Sequence, residues 1–301
     1  MLRYWNVIIV FCLFFLIACN QSENPSDYPN TPTSGKIKIA VDWTFQYILP
    51  PQFNLFSSTY KNTELQYYFK DEPYCINDLL NDSCKVIFLS RKLSAVEEKI
   101  FVDKNIILHQ TPIAITGIAL IGYPFREKGI VKDTLIDILK GKKSQYKIVF
   151  YGKQNGAVLY CKDSLLNGEK FGENCFMLND TNAFRQFLFE HHNAIGILDF
   201  SMICDDDDKW TSSIKYPHQD TLIIPVRANI NKPAYYPDQS NIATGDYIFR
   251  RFIYCIRRGD NFSLSAGIEA FVAGEKGQIL FKKMGLVPVF DRERRIQINP
   301  Y

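Results

Sequence analysis

The chain contains 301 residues, 47% of them hydrophobic and 22% charged, and its formal net charge is +3. This length allows two domains of ordinary size, and this composition allows each of them to bury a full core. A net charge so close to zero argues against nucleic acid as a partner, since surfaces that bind nucleic acid need an excess of lysine and arginine.

The N-terminus has the pattern of an exported protein. Arg3 is followed by an apolar run over residues 7–18, which is too short to span a bilayer and is typical of a signal peptide. The run ends in Leu16-Ile17-Ala18-Cys19, which resembles the lipobox of bacterial lipoproteins. We therefore predict a signal peptide over residues 1–18 and a lipid on Cys19, which would attach the protein to a membrane of the bacterial cell envelope, facing the periplasm or the surface. The alternative is an ordinary secretory signal in which the cysteine occurs by chance.

The next segment has the composition of a linker. Residues 20–35 are rich in Asn, Ser, Pro and Thr and have no hydrophobic periodicity. We therefore predict that residues 19–35 form the lipid anchor and a flexible tether.

From residue 36 onward, apolar runs typical of buried strands alternate with segments of helical periodicity. The predicted strands are KIKIAV (36–41), ELQYYF (64–69), KVIFL (85–89), IAITGIALIGY (113–123), YKIVF (146–150), AIGILDF (194–200), TLIIPV (221–226) and FIYCI (252–256). Helices are predicted from Pro50-Pro51, within residues 73–83, after a Ser94/Glu97 capping box, around 131–140, after Asn155, from about Leu264, and from Glu275 to Met284. Strands separated by helices predict mostly parallel sheets with helices on their faces.

Three loops that follow predicted strands carry polar side chains or exposed amides. They are Asp42–Phe45, Ser90–Leu93 and Gln154–Ala157. Ligands of open α/β sheets bind beyond the carboxyl ends of the strands, so we expect these loops to surround one site. Arg91 has a planar guanidinium that can hold an oxyanion with two parallel hydrogen bonds. The alternative is that these are three solvated loops and that Arg91 is a surface charge.

The third loop enters a helix whose first amides are exposed. Val158, Cys161 and Leu165 recur on one face of this helix, and Asn167-Gly168 marks its end. The segment 155–157 places no large side chain over the N–H groups of the first turn, and such groups attract anions. We predict that these amides face an oxyanion; otherwise the segment is only a tight turn.

Four segments resemble, in order and approximate spacing, the phosphate-specific substrate-binding proteins of ABC transporters, and most closely their Bacteroidetes-type lipoprotein members. They are VDWTF (41–45), LLNDSCKVIFLSRKLSAVEEKIF (79–101), IVFYGKQNGAVLYCKDSLLNG (148–168) and AGEKGQILFKKMGLVP (273–288). The resemblance implies a two-lobed α/β type II periplasmic-binding-protein fold with mostly parallel sheets, the lobes joined by two crossovers. It places lobe one in residues 36–112 and 248–301, and lobe two in residues 113–247.

The resemblance also implies a ligand-binding set. Such proteins hold phosphate with a Thr-Phe loop, a serine, an arginine and a helix start rich in hydroxyl groups. The matching positions are Thr44, the Phe45 amide, Ser90, Arg91 and the amides of Asn155, Gly156 and Ala157. Ser90 and Arg91 stand where the family places an aspartate, so Asp42 is the nearest acceptor for a proton of the ligand. The helix start lacks the hydroxyl groups, and each lost hydrogen bond to a charged ligand costs about 1.5–3 kcal/mol.

No other pattern indicates a functional site. We predict no metal site, because the acidic run DDDD (205–208) lacks calcium-loop spacing and the four histidines are scattered. We predict no cofactor and no enzymatic activity, because no nucleophile–base or paired-carboxylate arrangement can be assigned. The six cysteines from Cys75 to Cys255 could form disulfides in an exported protein or remain buried thiols, and both outcomes are open.

These observations predict a monomeric, lipid-anchored solute-binding protein. It would capture phosphate or a related small oxyanion between two lobes and pass it to an ABC permease. The alternative is a degenerate pair of lobes that acts as an interaction or sensor module without a transported ligand.

Overall fold

The computed structural model describes residues 28–205 and 222–290. The predicted signal peptide, the lipid site at Cys19 and most of the acidic run lie outside the described residues. Within the described residues, no helix is long and apolar enough to cross a membrane.

Strands and helices alternate along the described chain. The strands are β1 (Gly35–Asp42), β2 (Thr63–Lys70), β3 (Val86–Leu89), β4 (Leu108–Ile121), β5 (Ile130–Val131), β6 (Lys147–Tyr151), β7 (Cys175–Leu178), β8 (Ala194–Asp199), β9 (Val226–Arg227), β10 (Arg250–Arg258) and β11 (Val287–Pro288). The helices are α1 (Leu49–Thr59), α2 (Glu72–Leu80), α3 (Ala95–Asp103), α4 (Lys132–Leu139), α5 (Gly156–Tyr160), α6 (Thr181–Glu190), α7 (Gln239–Thr244), α8 (Leu264–Ala273) and α9 (Glu275–Lys283).

The main sheet joins two halves, and its strands follow the order β2-β1-β3-β10-β4-β8-β6-β7, with β11 paired to β4. Strands β1, β2 and β3 run parallel at one end, and β6, β7 and β8 run parallel at the other. In the middle, β10 is antiparallel to β3 and β4, and β4 is antiparallel to β8. The predicted two-lobed α/β fold is confirmed. The middle is antiparallel because β4 carries the chain out of the first lobe and β10 brings it back.

Strand β4 is the first crossover between the lobes. Its residues up to Gly117 pair with β10, and its residues from Ile118 pair with β8. The hydroxyl of the buried Tyr247 donates a hydrogen bond to the Ile118 carbonyl, and the Tyr247 ring lies where a side chain on Gly117 would stand. Strand β4 therefore passes from its partner in the first lobe to its partner in the second between residues 117 and 118. The predicted lobe boundaries at residues 112 and 247 stay a prediction.

Local signals explain where several helices begin and end. Pro50 and Pro51 lie in the first turn of α1, and Ser94 and Glu97 form the predicted capping box of α3. Helix α5 is shorter than expected, because a π-helical segment, Cys161–Leu165, continues from it.

The predicted strand over residues 221–226 is wrong for most of its length. Only Val226 and Arg227 form a strand there, and Ile223 makes an isolated bridge to Ile121. The preceding residues are apolar because they cover the end of β4, where the N–H of Ile224 donates to the Leu120 carbonyl, and not because they form a continuous ladder.

The last residues of the predicted tether, residues 28–35, contact the folded part of the chain, and the flexibility of the tether stays a prediction. The side chain of Asn30 accepts a hydrogen bond of 2.9 Å from the N–H of Leu264, so it caps the start of α8. The Pro32 carbonyl lies so close to Gly267 that a side chain on this glycine would overlap it. The N-terminal segment is therefore fixed to α8 by one polar and one steric contact.

The described cysteines form no disulfide, and five of the six are buried. Burial raises the pKa of the Cys161 thiol to about 12, with Arg251 opposing and Cys175 adding to the shift. The Cys161 thiol therefore stays protonated at neutral pH and acts as a small apolar side chain.

Candidate functional site

The first predicted loop folds around Asp42. This residue ends β1, and Trp43–Phe45 form a short 3₁₀-helix directly after it. The Asp42 oxygen Oδ1 accepts the N–H of Thr44 at 2.8 Å and the Thr44 hydroxyl at 2.6 Å. Both side chains are completely buried. The donors of Thr44 that were predicted to face a ligand therefore face a carboxylate of the protein itself.

The third predicted loop is held by Asn155 at the start of α5. Its Oδ1 accepts the N–H of Val158 at 3.2 Å, and its Nδ2 donates to the Tyr151 carbonyl at 2.7 Å. These bonds leave the N–H of Gly156 free to point away from the helix, and it donates to Asp42 Oδ2 at 2.9 Å. The helix start thus binds an anionic group, as helix N-termini do, and that group is Asp42.

The loop after β3 contacts the same helix start. Ser90 is buried beside Gly156, and a Cβ on Gly156 would overlap the Ser90 hydroxyl oxygen. Only glycine permits this approach of the two loops.

Arg251 on β10 joins these groups, and the sequence analysis did not identify it. Its Nη1 donates to the Ser90 hydroxyl oxygen at 2.9 Å and to the Gly156 carbonyl at 2.5 Å. Its Nε donates to Asp199 Oδ2 at 2.9 Å, and its Nη2 donates to the same oxygen. Arg251 and Asp199 are both buried, so this is a charge pair shielded from water.

Asp199, at the end of β8, connects the pair to two further elements. Its Oδ1 accepts the Thr116 hydroxyl at 2.7 Å and the Ser201 N–H at 2.8 Å, and the Ser201 hydroxyl donates to the Thr44 carbonyl at 2.9 Å. We call the resulting set the cleft network; its members are Asp42, Thr44, Ser90, Thr116, Gly156, Asp199, Ser201 and Arg251.

Arg91 lies outside the cleft network. Its Nη1 and Nη2 donate to the two carboxylate oxygens of Glu97 at 2.7 and 2.9 Å, and its Nε lies 2.5 Å from Glu72 Oε1. Glu97 also accepts the N–H of Ser94 in the capping box of α3. The guanidinium therefore holds the first turn of α3 to α2, and the role of Arg91 in ligand binding stays a prediction.

Glu72 is a buried carboxylate close to the cleft network. It is the first residue of α2, it has no exposed surface, and neither of its oxygens has a hydrogen bond of good geometry. Burial raises the pKa of Glu72 to about 7, with the charges of Arg91 and Arg251 opposing the shift and the charge of Asp42 adding to it. Burial likewise raises the pKa of Asp42 to about 6, against its hydrogen bonds and the charge of Arg251.

The structure brings together four of the predicted site residues: Asp42, Thr44, Ser90 and Gly156. Of the others, Asn155 is used as the helix cap, Ala157 is buried in the first turn of α5, and the side chain of Phe45 is in the core. No group of three or more metal-ligating side chains occurs in the parts of the chain that the structure describes.

Two features of the sequence point to Arg251, although neither gives the direction of its side chain. It lies in RRFIYCIRR, where pairs of arginines flank an apolar run, and an arginine is rarely buried unless it is paired. Its partner Asp199 follows directly on the apolar run of β8. An acid and a base at the ends of two central strands are the signal for such a pair.

Comparison with known proteins adds a family and a fold. A family model described as PBP superfamily domain matches residues 26–273. No curated protein sequence matches the chain.

Several solved structures resemble the chain. A phosphate ABC transporter substrate-binding protein with bound phosphate from Clostridium perfringens shares 17% identity over 85% of this chain and 100% of its own, with a TM-score of 0.66. An ABC-type phosphate transport receptor from Vibrio cholerae shares 16% identity over 83% of this chain and 99% of its own, with a TM-score of 0.63. The CcmR regulatory domain of Synechocystis, in complex with 2-PG, shares 14% identity over 79% of this chain and 96% of its own, with a TM-score of 0.53. At these identities the likeness shows the fold alone.

Proposed function

Because the chain belongs to the PBP superfamily, we propose that it is a solute-binding protein that holds phosphate or a related small oxyanion between its two lobes. The site would be the cleft network, which combines residues of both lobes. Thr44, Ser90 and Arg251 would contribute from the first lobe and the start of α5 from the second.

The observation that carries this proposal is the environment of the Asp42 carboxylate. Three donors converge on it, two from Thr44 and one from Gly156 across the cleft. A carboxylate is itself an oxyanion, so a site that binds it with main-chain and hydroxyl donors has the chemistry that an oxyanion ligand needs.

Entry of a ligand would require the lobes to separate. Opening would release the N–H of Gly156 from Asp42, and the Nη1 of Arg251 from the Gly156 carbonyl. These donors and the hydroxyl of Ser90 would then be available to a ligand, which would stabilise closure by binding both lobes at once. Asp42 would remain beside the ligand as an acceptor for one of its protons.

We further propose that the protein is a monomeric, lipid-anchored receptor of an ABC transporter. The lipobox at Cys19 supports the anchor, and the fold that the chain shares with two phosphate transport receptors supports delivery of the ligand to a permease. An extracytoplasmic location follows from the same two observations.

A second candidate function is an interaction or sensor module that transports nothing. It is favoured by the completeness of the cleft network, in which the Gly156 N–H, the Thr44 hydroxyl and the Arg251 guanidinium already have acceptors within the protein. The likeness in fold to the CcmR regulatory domain is consistent with it.

Calorimetric titration of phosphate into the purified protein tests the proposal. We expect saturable binding of phosphate by the wild type. In Arg251→Lys we expect the affinity for phosphate to fall at least about tenfold, because lysine lacks the planar guanidinium that contacts Ser90, Gly156 and Asp199 together. Arg250→Lys is the matched control, since this neighbour on β10 lies outside the cleft network and contacts the ring of Phe252. Absence of binding by the wild type would favour the module.

A further inference from the structure

We infer that the ligand of the cleft is an oxyanion with a single negative charge, such as a small carboxylate or dihydrogen phosphate, and that dianions such as sulfate or monohydrogen phosphate bind much more weakly. This inference rests on the proposed function and narrows the class of ligand.

The first argument is the charge already present. Three carboxylates face the site, from Asp42 on β1, Glu72 on α2 and Asp199 on β8, and all three are fully buried. Two guanidiniums oppose them, Arg251 on β10 and Arg91 after β3. This leaves an excess of one negative charge once all three acids are ionised, that is above the raised pKa values of Asp42 (about 6) and Glu72 (about 7). A second charge on a ligand would therefore add to like charge in a region of low dielectric.

The charge of Arg91, counted above, is shared with a further acid. Both of its Nη groups are taken by Glu97, a fourth carboxylate at the edge of the same cluster. The thiol of Cys75 also lies near these acids, and its pKa is raised by burial and by the charges of Asp42, Cys84 and Glu72, so that it is neutral. Asp71, directly before Glu72, adds a further acid, and the exposed Lys153 is the cation that acts on it. Among the buried residues of the cluster, Arg251 is therefore the cation that remains for a ligand.

The second argument is that a singly charged group, the carboxylate of Asp42, already accepts the hydrogen bonds of the proposed site. The carboxylate of Asp42 accepts two hydrogen bonds on one oxygen and one on the other. This arrangement satisfies a planar, singly charged anion with three donors. A tetrahedral dianion has two further oxygens and twice the charge, and the chain replaces the hydroxyl residues of the related helix start with Gly156, Ala157 and Val158.

The third argument is Glu72, a buried carboxylate whose oxygens receive no well-formed hydrogen bond. The Nε of Arg91 lies 2.5 Å from its Oε1, but burial still outweighs this contact and disfavours the charged form. Glu72 is also close enough to Asp42 for their charges to interact. An arriving anion would raise the proton affinity of both carboxyls further. Binding should therefore be accompanied by proton uptake and should strengthen as the pH falls, because burial already raises the pKa of Asp42 to about 6 and that of Glu72 to about 7.

Titration calorimetry with three probes tests this inference. Phosphate, sulfate and acetate are titrated into the full protein at about pH 5.5, where phosphate is mainly the monoanion, and at about pH 8.5, where it is mainly the dianion. We expect phosphate at the acidic pH to bind at least about tenfold more tightly than phosphate at the basic pH, and acetate at the basic pH to bind at least about tenfold more tightly than sulfate at the same pH. The reason is that the second charge of a dianion meets the excess negative charge that the site carries once Asp42 and Glu72 are ionised. Acetate should compete with phosphate at the acidic pH.

Proton uptake provides a second measurement that needs no variant. At about pH 7, where Asp42 and Glu72 can still take up protons, the binding enthalpy of phosphate should differ between buffers of different ionisation enthalpy. Glu72→Gln should reduce this proton uptake. At about pH 8.5 it also removes one buried negative charge, so it should strengthen sulfate binding several-fold there. Glu127→Gln, which changes an exposed acid, is the control and should alter neither the proton uptake nor the affinity for sulfate.

The outcomes separate the two proposals. Sulfate binding as tight as acetate binding at the basic pH, or a phosphate affinity that does not change with pH, would overturn the single-charge inference and leave the oxyanion receptor intact. A failure of all three probes to bind at either pH would overturn the receptor and the inference with it.

Discussion

The carboxylate of Asp42 accepts a hydrogen bond of 2.9 Å from the main-chain N–H of Gly156, 114 residues further along the chain. Asp42 ends a strand of the first lobe, and Gly156 begins a helix of the second, so this bond crosses the cleft. It places a side chain of the protein where an anion would meet the helix start. The lobes can therefore be held together without a ligand.

Asp42→Asn should loosen this closure. An amide keeps one oxygen for the donors of Thr44, but its NH₂ group cannot accept the N–H of Gly156, and the charge is lost. We expect a larger radius of gyration than that of the wild type in small-angle X-ray scattering without ligand. Asp137→Asn, which changes a surface ion pair with Lys142, is the control. Identical scattering of Asp42→Asn and wild type would mean that this bond does not hold the lobes.

Gly156→Ala should prevent full closure for a steric reason. The new methyl group would overlap the Ser90 hydroxyl oxygen, and overpacking of this kind typically costs about 1–3 kcal/mol. We expect the melting temperature to fall and the radius of gyration to rise. Adding Ser90→Gly removes the clashing atoms, so the double variant should recover much of the lost melting temperature and of the lost compactness. If Ser90→Gly brings no recovery, the two loops are not in contact in solution.

Arg251→Met should destabilise the fold more than any other change in the cleft network. It leaves Asp199 as a buried charge without its cation, for which a loss of about 3–5 kcal/mol in the free energy of unfolding is typical. The urea midpoint measures this loss. Arg251→Met with Asp199→Asn should be more stable than Arg251→Met alone, since asparagine can still accept from Thr116 and Ser201. Equal midpoints for the single and double variants would contradict a buried charge pair.

The sequence carried enough information for most of the fold and for part of the site. Asp42, Ser90 and Gly156 were predicted to lie together because each follows a strand that ends at the same edge, and sheet geometry alone then brings them together. Arg251 was missed because its inward direction depends on the alternation along β10, where Arg250 faces the other side. The direction of β10 itself is set by the return of the chain between lobes, which no local propensity encodes.

The sequence predicted a ligand contact for Arg91 from its position in a strand-to-helix loop, and this contact stays a prediction. What the sequence did not indicate is the pairing of Arg91 with Glu97, which is six residues away and fixed by the capping box of α3. A fixed carboxylate within reach binds a guanidinium in preference to solvent. The competing partner was visible in the sequence, although its effect on the direction of the side chain was not.

The stability of the protein should fall as the pH rises toward neutrality. Burial raises the pKa of Glu72 from an ordinary value of 4.5 to about 7, so between these values the folded state binds more protons than the unfolded state. The free energy of unfolding therefore decreases with pH in this window, by up to about 1.4 kcal/mol per pH unit for one group. Asp42 acts in the same direction between 3.8 and about 6.

Glu72→Gln tests this pH dependence. The variant should show a flatter profile of the unfolding free energy between about pH 5 and pH 7 and should be more stable than the wild type above pH 7. Chemical denaturation across this range gives both profiles. Parallel profiles of variant and wild type would show that Glu72 does not titrate differently in the folded state.

Cys19→Ala tests the predicted anchor. If the lipobox is used, the variant should lose the mass of the lipid and appear in the soluble fraction or as the uncleaved precursor. Mass spectrometry and membrane fractionation of the expressing cells check this result. A variant that stays in the membrane with the mass of the lipidated form would contradict the anchor.

The contact of Asn30 and Pro32 with α8 also sets the reach of the protein. About ten residues separate Cys19 from Asn30, and at about 3.3–3.6 Å per extended residue they span roughly 35 Å at most. A lipid on Cys19 would thus keep α8 within roughly the thickness of one bilayer from the membrane surface. An anchor of this length would confine the protein to a thin layer at the membrane surface, which would raise its effective concentration at any partner embedded in the same membrane.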